Sequence, residues 1–402
     1  MRSQRASRSG RSIGISLGYI VKFLAIGVLF FVGVLVIHVR QDRTLGQGDG
    51  GGHAAAIGAK PSLRQATKKV SDKLKVAFAI TITKDGNFQD GAAVLAYSIF
   101  RAFEREPVEV SLVAFVHPNV TTSRPPLTQL GFHVIEVPVP INIPKIKYKF
   151  LREHIDKNGC CGASELIKLS SYRLLQYDKV VHLDADVEVV KPFMNELKLN
   201  KSLVYTTDPN MASHKGEDKM PVQGGFLIIK PDMDDYNKII DTLMTTQFYQ
   251  GSAWGGSKIG WFWGGMTVQG ILPYYYRKIS SPDRMQVLDR CYFNTMADVP
   301  ECITQQVDDV TSAHFTVCQK PWACFKPPIN RLCGDLHQRW YELRAGAEAW
   351  YGVPVAENAC PKGGHKHYVH MQLAGARLPQ DNAFFVPDTS LDRLEPTAAG
   401  RF

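Results

Sequence analysis

The stretch 178–192, DKVVHLDADVEVVKP, limits what this chain can fold into more than any other part of it. An apolar run, Val180, Val181 and Leu183, leads into two carboxylates, Asp184 and Asp186, and Val187, Val189 and Val190 carry the chain on to Pro192. Residues two apart on a strand share a face, so both acids should point the same way where the chain leaves a buried strand. Two hard oxygen donors converging on one point suit a manganese or magnesium ion that also holds phosphate oxygens. An acid-x-acid triplet alone is common in turns and at helix starts. The buried-looking run ahead of it gives this one weight.

Around that stretch, strand and helix patterns alternate. Residues 75–83 (KVAFAITIT) read as a buried strand, and Ala92, Leu95, Ile99 and Phe103 recur at helical spacing. Segments 108–116, 133–137, 202–206 and 222–229 read as further strands, and 163–177 as a helix feeding the acidic strand. This order predicts an α/β chain with a mostly parallel central sheet flanked by helices. Ligands in such sheets bind beyond the carboxyl ends of the strands, where the two aspartates fall. Residues 331–351 read as a helix with Leu332, Leu336, Trp340 and Leu343 on one stripe.

Charge and the amino terminus fix the setting. The formal charge is +9, from 47 basic and 38 acidic residues, but six of those net charges are Arg and Lys lying before Asp42. The remainder is nearly balanced and has no basic stripe, which excludes nucleic acid as a partner. Residues 13–39 are almost wholly apolar and long enough to cross a bilayer, with Lys22 near the headgroups. Arginines ahead of them predict a cytosolic tail at 1–12 and a single-pass type II membrane anchor at 13–39. The uncleaved anchor is preferred to a signal peptide cleaved near Ala54–Ala56 and to an organellar presequence. A Gly/Ala/Ser-rich stem follows at 40–72, then a catalytic domain at 73–345 and a C-terminal extension at 346–402.

Eight cysteines without C-x-x-C spacing favour disulfides in an oxidising lumen, although the pairing cannot be deduced. Asn119 and Asn200 head glycosylation triplets compatible with that compartment. The basic patch Lys145, Lys147, Lys149 and Arg152 reads as a solvated face in preference to a phosphate contact. The Gly/Trp-rich segment 254–263 reads as a loop whose aromatics pack a core in preference to stacking on a sugar. His365, His367 and His370 read as polar surface ahead of a separate transition-metal site. For the two aspartates, His314 in TSAHFTVCQKPW is the best third ligand, with Lys320 as a point charge able to reach a diphosphate.

Four blocks in fixed order carry a resemblance: AFAITITKDGNFQDGAAVLAYSI, LIKLSSYRLLQYDKVVHLDADVEVV, TTDPN followed by VQGGFLIIKP, and HFTVCQKPW. Together they make residues 75–322 similar to glycosyltransferase family 8, the glycogenin-like nucleotide-sugar transferases with a GT-A fold. The resemblance implies a retaining glycosyltransferase moving a sugar from a UDP-sugar donor to a glycan, protein or lipid acceptor, with a manganese or magnesium ion. It implies Asp184, Asp186 and His314 as metal ligands, and Thr83 and Phe88 at the nucleoside. Lys168 would lie near the donor sugar and phosphate, with Asp208, Gln223, Gly224, Gly225 and Gln269 at the sugar and Lys320 on the diphosphate. Asp208, Gln269 and Lys320 are the candidate catalytic groups.

Anchor and stem together look like a Golgi membrane enzyme with a lumenal domain. A homodimer is left open. The chain departs from the family pattern at Val268, where an acid is usual before Gln269, at Gln223-Gly224-Gly225, and within 316–319, where a glycine is usual. A non-catalytic lumenal nucleotide-sugar or glycan-binding relative is therefore the second expectation.

Overall fold

A computed structural model describes residues 73–325, 329–380 and 382–386. The described residues all belong to one compact unit, and residues 1–68 lie outside them. The tail, membrane segment and stem expected at 1–12, 13–39 and 40–72 therefore fall outside them too. No helix among the described residues is long and apolar enough to cross a membrane.

The strands in chain order are β1 (Leu74–Ile82), β2 (Val108–Val116), β3 (Phe132–Glu136), β4 (Lys179–Leu183), β5 (Val187–Val189), β6 (Leu203–Thr207), β7 (Val222–Ile229), β8 (Phe248–Tyr249), β9 (Ala253–Trp254), β10 (Met285–Val287) and β11 (Ser312–His314). The α-helices are α1 (Phe88–Phe103), α2 (Arg124–Gln129), α3 (Lys149–His154), α4 (Met194–Leu197), α5 (Met233–Thr245), α6 (Val268–Tyr274) and α7 (Arg331–Trp350). Seven strands form one mixed sheet in the order β10-β6-β7-β4-β1-β2-β3. Only β7 runs antiparallel to its neighbours; every other pairing in the sheet is parallel.

Chain order explains where a ligand can enter. From β1 the chain steps outward to β2 and β3, then returns to the other side of β1 as β4. The order reverses direction at β1 and β4, and in open α/β sheets the carboxyl ends of strands at such a switch point are where ligands bind. Both faces of the sheet are covered, so its strands read as continuous apolar runs. β1 sends Val76, Phe78, Ile80 and Ile82 into the core it shares with α1 and α7, and Ala77 and Ala79 toward the opposite face. Each large apolar side chain buried in this way contributes roughly 1.5–3 kcal/mol. The stripe Leu332, Leu336, Trp340 and Leu343 of α7 is buried.

Two features differ from the sequence reading. The helix expected at 163–177 is a tight 3-10 run over Gly162–Arg173. The apolar 179–190 stretch is not one strand: the Val187 N–H donates to Asp184 O at 3.1 Å, so the acids occupy a turn and β5 leaves the main sheet to pair with β11. As expected for 331–351, α7 runs straight through residue 345, and Phe385 bridges to Val110 beyond it. The last described residues thus complete the edge of the same domain.

Candidate functional site

Asp184 and Asp186 sit at the carboxyl end of β4, and β5 begins at the next residue. Antiparallel pairing sets His314 opposite Val187, and the Phe315 N–H donates to Asp186 O at 2.9 Å. That register carries the imidazole to the acids. His314 Nε2 lies 3.4 Å from Asp186 Oδ1 and 3.8 Å from Asp184 Oδ2. One ligand atom from each residue falls within 4.8 Å of the others. The ring is 4% exposed and its Nδ1 is buried with no hydrogen-bond partner.

Two glycines make the arrangement sterically feasible. A Cβ at Gly91 in α1 would fall 2.3 Å from Ala185 O and 2.7 Å from the Trp322 ring, so only glycine lets that helix pack on the acidic turn. A Cβ at Gly225 in β7 would fall 2.4 Å from His314 Cε1. The imidazole occupies the place of the missing side chain.

Each aspartate has its own lysine. Lys168 Nζ is buried and donates to Asp184 Oδ1 (2.7 Å) and Gly224 O (3.2 Å), with Glu165 Oε2 at 3.0 Å. Burial works against its charge, but Asp184 and Glu165 outweigh it and raise the Lys168 ammonium above its ordinary value. Lys320, about one-third exposed, pairs with Asp186. Burial would raise Asp186, yet His314 and then Lys320 hold its carboxyl well below the usual range. For Asp184 burial wins over Lys168 and moves the carboxyl up. One acid of the pair is thus a firmly fixed anion.

The remaining sequence-named residues surround this centre. Gln269, at the start of α6, comes close to Gly224: a Cβ there would lie 3.5 Å from both Gln269 Cγ and Lys168 Nζ. Gln223 Oε1 accepts from the Gly225 N–H at 2.5 Å and from Asn294 Nδ2 at 3.0 Å, so its carbonyl is already committed to the protein. Asp208 is buried, which raises its carboxyl against the pull of Arg290, and it accepts from the Asn210 N–H at 3.2 Å. Thr83 follows β1 directly and hydrogen-bonds Cys161. Phe88 opens α1, its ring edge-on to Trp322 at 6.4 Å. The loop carrying Lys320 and Trp322 is tied down on both sides by Cys318–Cys333 and Cys324–Cys360, and Cys291–Cys302 is a third disulfide.

Sequence reasoning missed three contributors. Glu165 was legible, since it precedes Lys168 by one helical turn. Asn294 and Gly91 act only through tertiary contact and give no local signal.

The other sequence candidates lie apart from this centre. Lys145, Lys147 and Lys149 are exposed, and Arg152 binds the carbonyl of Ile146 in its own loop. Trp254 is buried and donates to Gly265 O at 2.8 Å, whereas Trp263 is 64% exposed. His367 and His370 belong to neither ligand cluster among the described residues; His370 faces Asp90 at 3.7 Å. The side chain of His365 lies outside the described residues.

Just behind the acids, Glu188 in β5 is fully buried, and neither carboxylate oxygen is hydrogen-bonded. Burial pushes its carboxyl from 4.5 up to about 8, with Arg339 Nε 3.8 Å away opposing the shift. Between those two values the folded chain keeps a proton that the unfolded chain has lost, so stability declines as pH rises through that window. Glu188→Gln should remove the decline. In the presence of a chelator, thermal midpoints of variant and parent should be close near pH 5, and the variant should be several degrees higher above pH 8. Parallel curves would show that Glu188 is ionised throughout.

No protein-family model and no curated protein matches the chain. Among solved structures it is similar to the WbbM bifunctional glycosyltransferase in its apo form, at 14% identity and a TM-score of 0.44, over 69% of this chain and 50% of that one. The chain thus spans half the length of that protein. It is also similar to the galactosyltransferase LgtC in complex with donor and acceptor sugar analogs, at 12% identity and a TM-score of 0.41, over 69% and 99% of the two chains. A third likeness is to mouse xyloside xylosyltransferase 1 in its apo form, at 15% identity and a TM-score of 0.39, over 60% and 97%. What the fold and site define for this chain is a mixed α/β domain with a carboxylate–imidazole cluster at a switch point of its sheet.

Proposed function

We propose that the protein is a metal-dependent glycosyltransferase that moves a sugar from a UDP-sugar to an acceptor hydroxyl with retention of anomeric configuration. The observation that carries this reading is the convergence of ligand atoms of Asp184, Asp186 and His314 within 4.8 Å of one another at the carboxyl end of β4, beside the switch point of the sheet. Two hard carboxylates with one imidazole fit manganese, or magnesium, better than zinc, which favours a set richer in nitrogen and sulfur. The buried, anionic Asp186 supplies the negative charge that such a cation needs. The resemblance to glycosyltransferase family 8 supports the same assignment.

In this reading a bound divalent cation supplies Lewis-acid neutralisation of the charge on the departing diphosphate. The chain's own residues do the rest. Lys320 is the cation free to exchange Asp186 for a phosphate oxygen, whereas buried Lys168 stays in place, fixing Asp184 and the Gly224 carbonyl. Gln269 and Asp208 flank the sugar, and Thr83 and Phe88 border the nucleoside. The acceptor hydroxyl forms its bond to the anomeric carbon on the face that the phosphate oxygen leaves, and a phosphate oxygen takes the hydroxyl proton. The donor is presented in the Golgi lumen, to which the expected anchor would tether the domain.

A panel of UDP-sugars incubated with the purified protein tests this. Manganese-dependent release of UDP from one of them is expected, and its loss on chelation. Tight UDP binding without release from any donor would favour the non-catalytic alternative, for which Val268 in place of an acid is the specific observation.

A further inference from the structure

Six of the eight cysteines form the three disulfides, and the remaining two, Cys160 and Cys161, are adjacent and reduced. Their sulfurs lie 2.9 Å apart, and Cys160 Sγ donates to Glu165 Oε1 at 3.3 Å. The two thiols and that carboxylate form the second cluster of ligating atoms among the described residues. They occupy a turn bounded by Gly159 and Gly162, with φ of +79° and +56°, and Cys160 is exposed. Glu165 reaches Lys168, Lys168 reaches Asp184, and Cys161 touches Thr83. The pair therefore borders the proposed donor site on two sides.

We propose that Cys160 and Cys161 are a thiol-modification site that closes to a vicinal disulfide by exchange with a small-molecule disulfide such as glutathione disulfide, and that closure weakens the donor site. The Cys161 sulfur, as thiolate, attacks one sulfur of glutathione disulfide and releases one glutathione thiolate. Cys160, losing its proton, then attacks the Cys161 sulfur and releases the second glutathione. Two electrons pass from the pair to glutathione disulfide, and the two thiol protons end on the two glutathiones.

Geometry sets the roles. Contact with the Cys160 sulfur 2.9 Å away, helped by Thr83, lowers the Cys161 thiol against burial and the nearby Glu165, while that same contact, burial and the S–H given to Glu165 push Cys160 up. The sulfur poised to attack is thus Cys161, the one whose thiol is lowered and which is still partly exposed. Adjacent Cα atoms are about 3.8 Å apart, short of the roughly 4.4–6.8 Å that disulfides usually span. A ring closed there is strained and more easily reduced than an unstrained disulfide, so it can cycle while the other three stay shut. Closure removes the S–H that Glu165 now accepts. Its carboxylate then bears on Lys168 alone and competes with Asp184 and the Gly224 carbonyl for that ammonium.

The thiol chemistry stands by itself, whereas its effect on UDP rests on the donor-site reading. The full-length protein is equilibrated in graded glutathione buffers with manganese present. Free thiols are then trapped by alkylation for peptide mass analysis, and UDP affinity is measured in parallel. The peptide holding residues 160–161 should pass from doubly alkylated to unalkylated and two hydrogens lighter, at ratios that leave the other disulfides closed. UDP affinity should fall on the order of tenfold with it, the size of one lost charge-assisted bond. Cys160→Ser and Cys161→Ser should each abolish the redox response of UDP affinity. A pair that stays doubly alkylated at every ratio, or that stops at a mixed disulfide with glutathione, overturns the proposal. So does equal UDP affinity in both states, or a response that persists in the serine variants. If the reduced protein binds no UDP at all, the donor reading falls and the mass result alone decides the thiol site.

Discussion

Replacing Asp186 by asparagine should lower manganese-dependent UDP release by on the order of a hundred- to a thousandfold while leaving the fold intact. The carboxyl is held as an anion by His314 and Lys320 despite its burial, so the substitution removes a full charge and keeps the volume. Lys320 loses its partner, but it is about one-third exposed and water can solvate it. Asp184→Asn is a less clean experiment. It would leave Lys168, only 6% exposed, with Glu165 as its one counter-charge, and breaking a buried pair typically costs about 3–5 kcal/mol of stability. Activity and thermal midpoint measured on both variants separate the effects: Asp186→Asn loses rate with the smaller drop in midpoint, because water can still solvate Lys320, and Asp184→Asn loses both. Retained activity in Asp186→Asn would remove the metal centre from the proposed mechanism.

Local chemistry in the sequence was enough to mark the acids, because an apolar run ending in two carboxylates needs no partner to be noticed. The alternation of strand and helix likewise anticipated a mostly parallel sheet, and β7 as the single reversed strand is invisible to periodicity, which does not encode direction. His314 could be nominated but not placed. What places it is the short antiparallel pairing of β5 with β11, and that pairing exists only because the acids form a turn that takes β5 out of the main sheet. A period-two reading of 179–190 runs straight over that break. Gly91 is silent in sequence for a related reason, and Gly225, named there for the donor sugar, gave no sign of its place beside His314: the importance of both lies in atoms that approach from elsewhere in the fold. Cys160 and Cys161 departed from the expectation that the cysteines form disulfides, since two adjacent residues held between glycine turns have no third sulfur within reach.

Gly225→Ala should cost the protein its metal-assisted affinity for UDP by about 10- to 100-fold, the range seen when a group that orients a ligand is disturbed. The backbone at 225 is not among the left-handed positions, so alanine itself is not strained there. Its methyl would instead fall 2.4 Å from His314 Cε1, 2.6 Å from Nδ1 and 3.0 Å from Gln223 Oε1. The imidazole must rotate away from the acids to make room, and overpacking of this kind typically costs about 1–3 kcal/mol of stability besides. Gly224→Ala is the matched control. Its methyl would meet nothing nearer than 3.5 Å, an ordinary contact with Lys168 Nζ and Gln269 Cγ, so manganese and UDP should bind nearly as before. Titration calorimetry of manganese and UDP into the two variants distinguishes a steric effect on one ring from a general intolerance of side chains in β7. Equal, parent-like affinity in both would mean that His314 does not hold the cation, and the site would have to be rebuilt around the two aspartates alone.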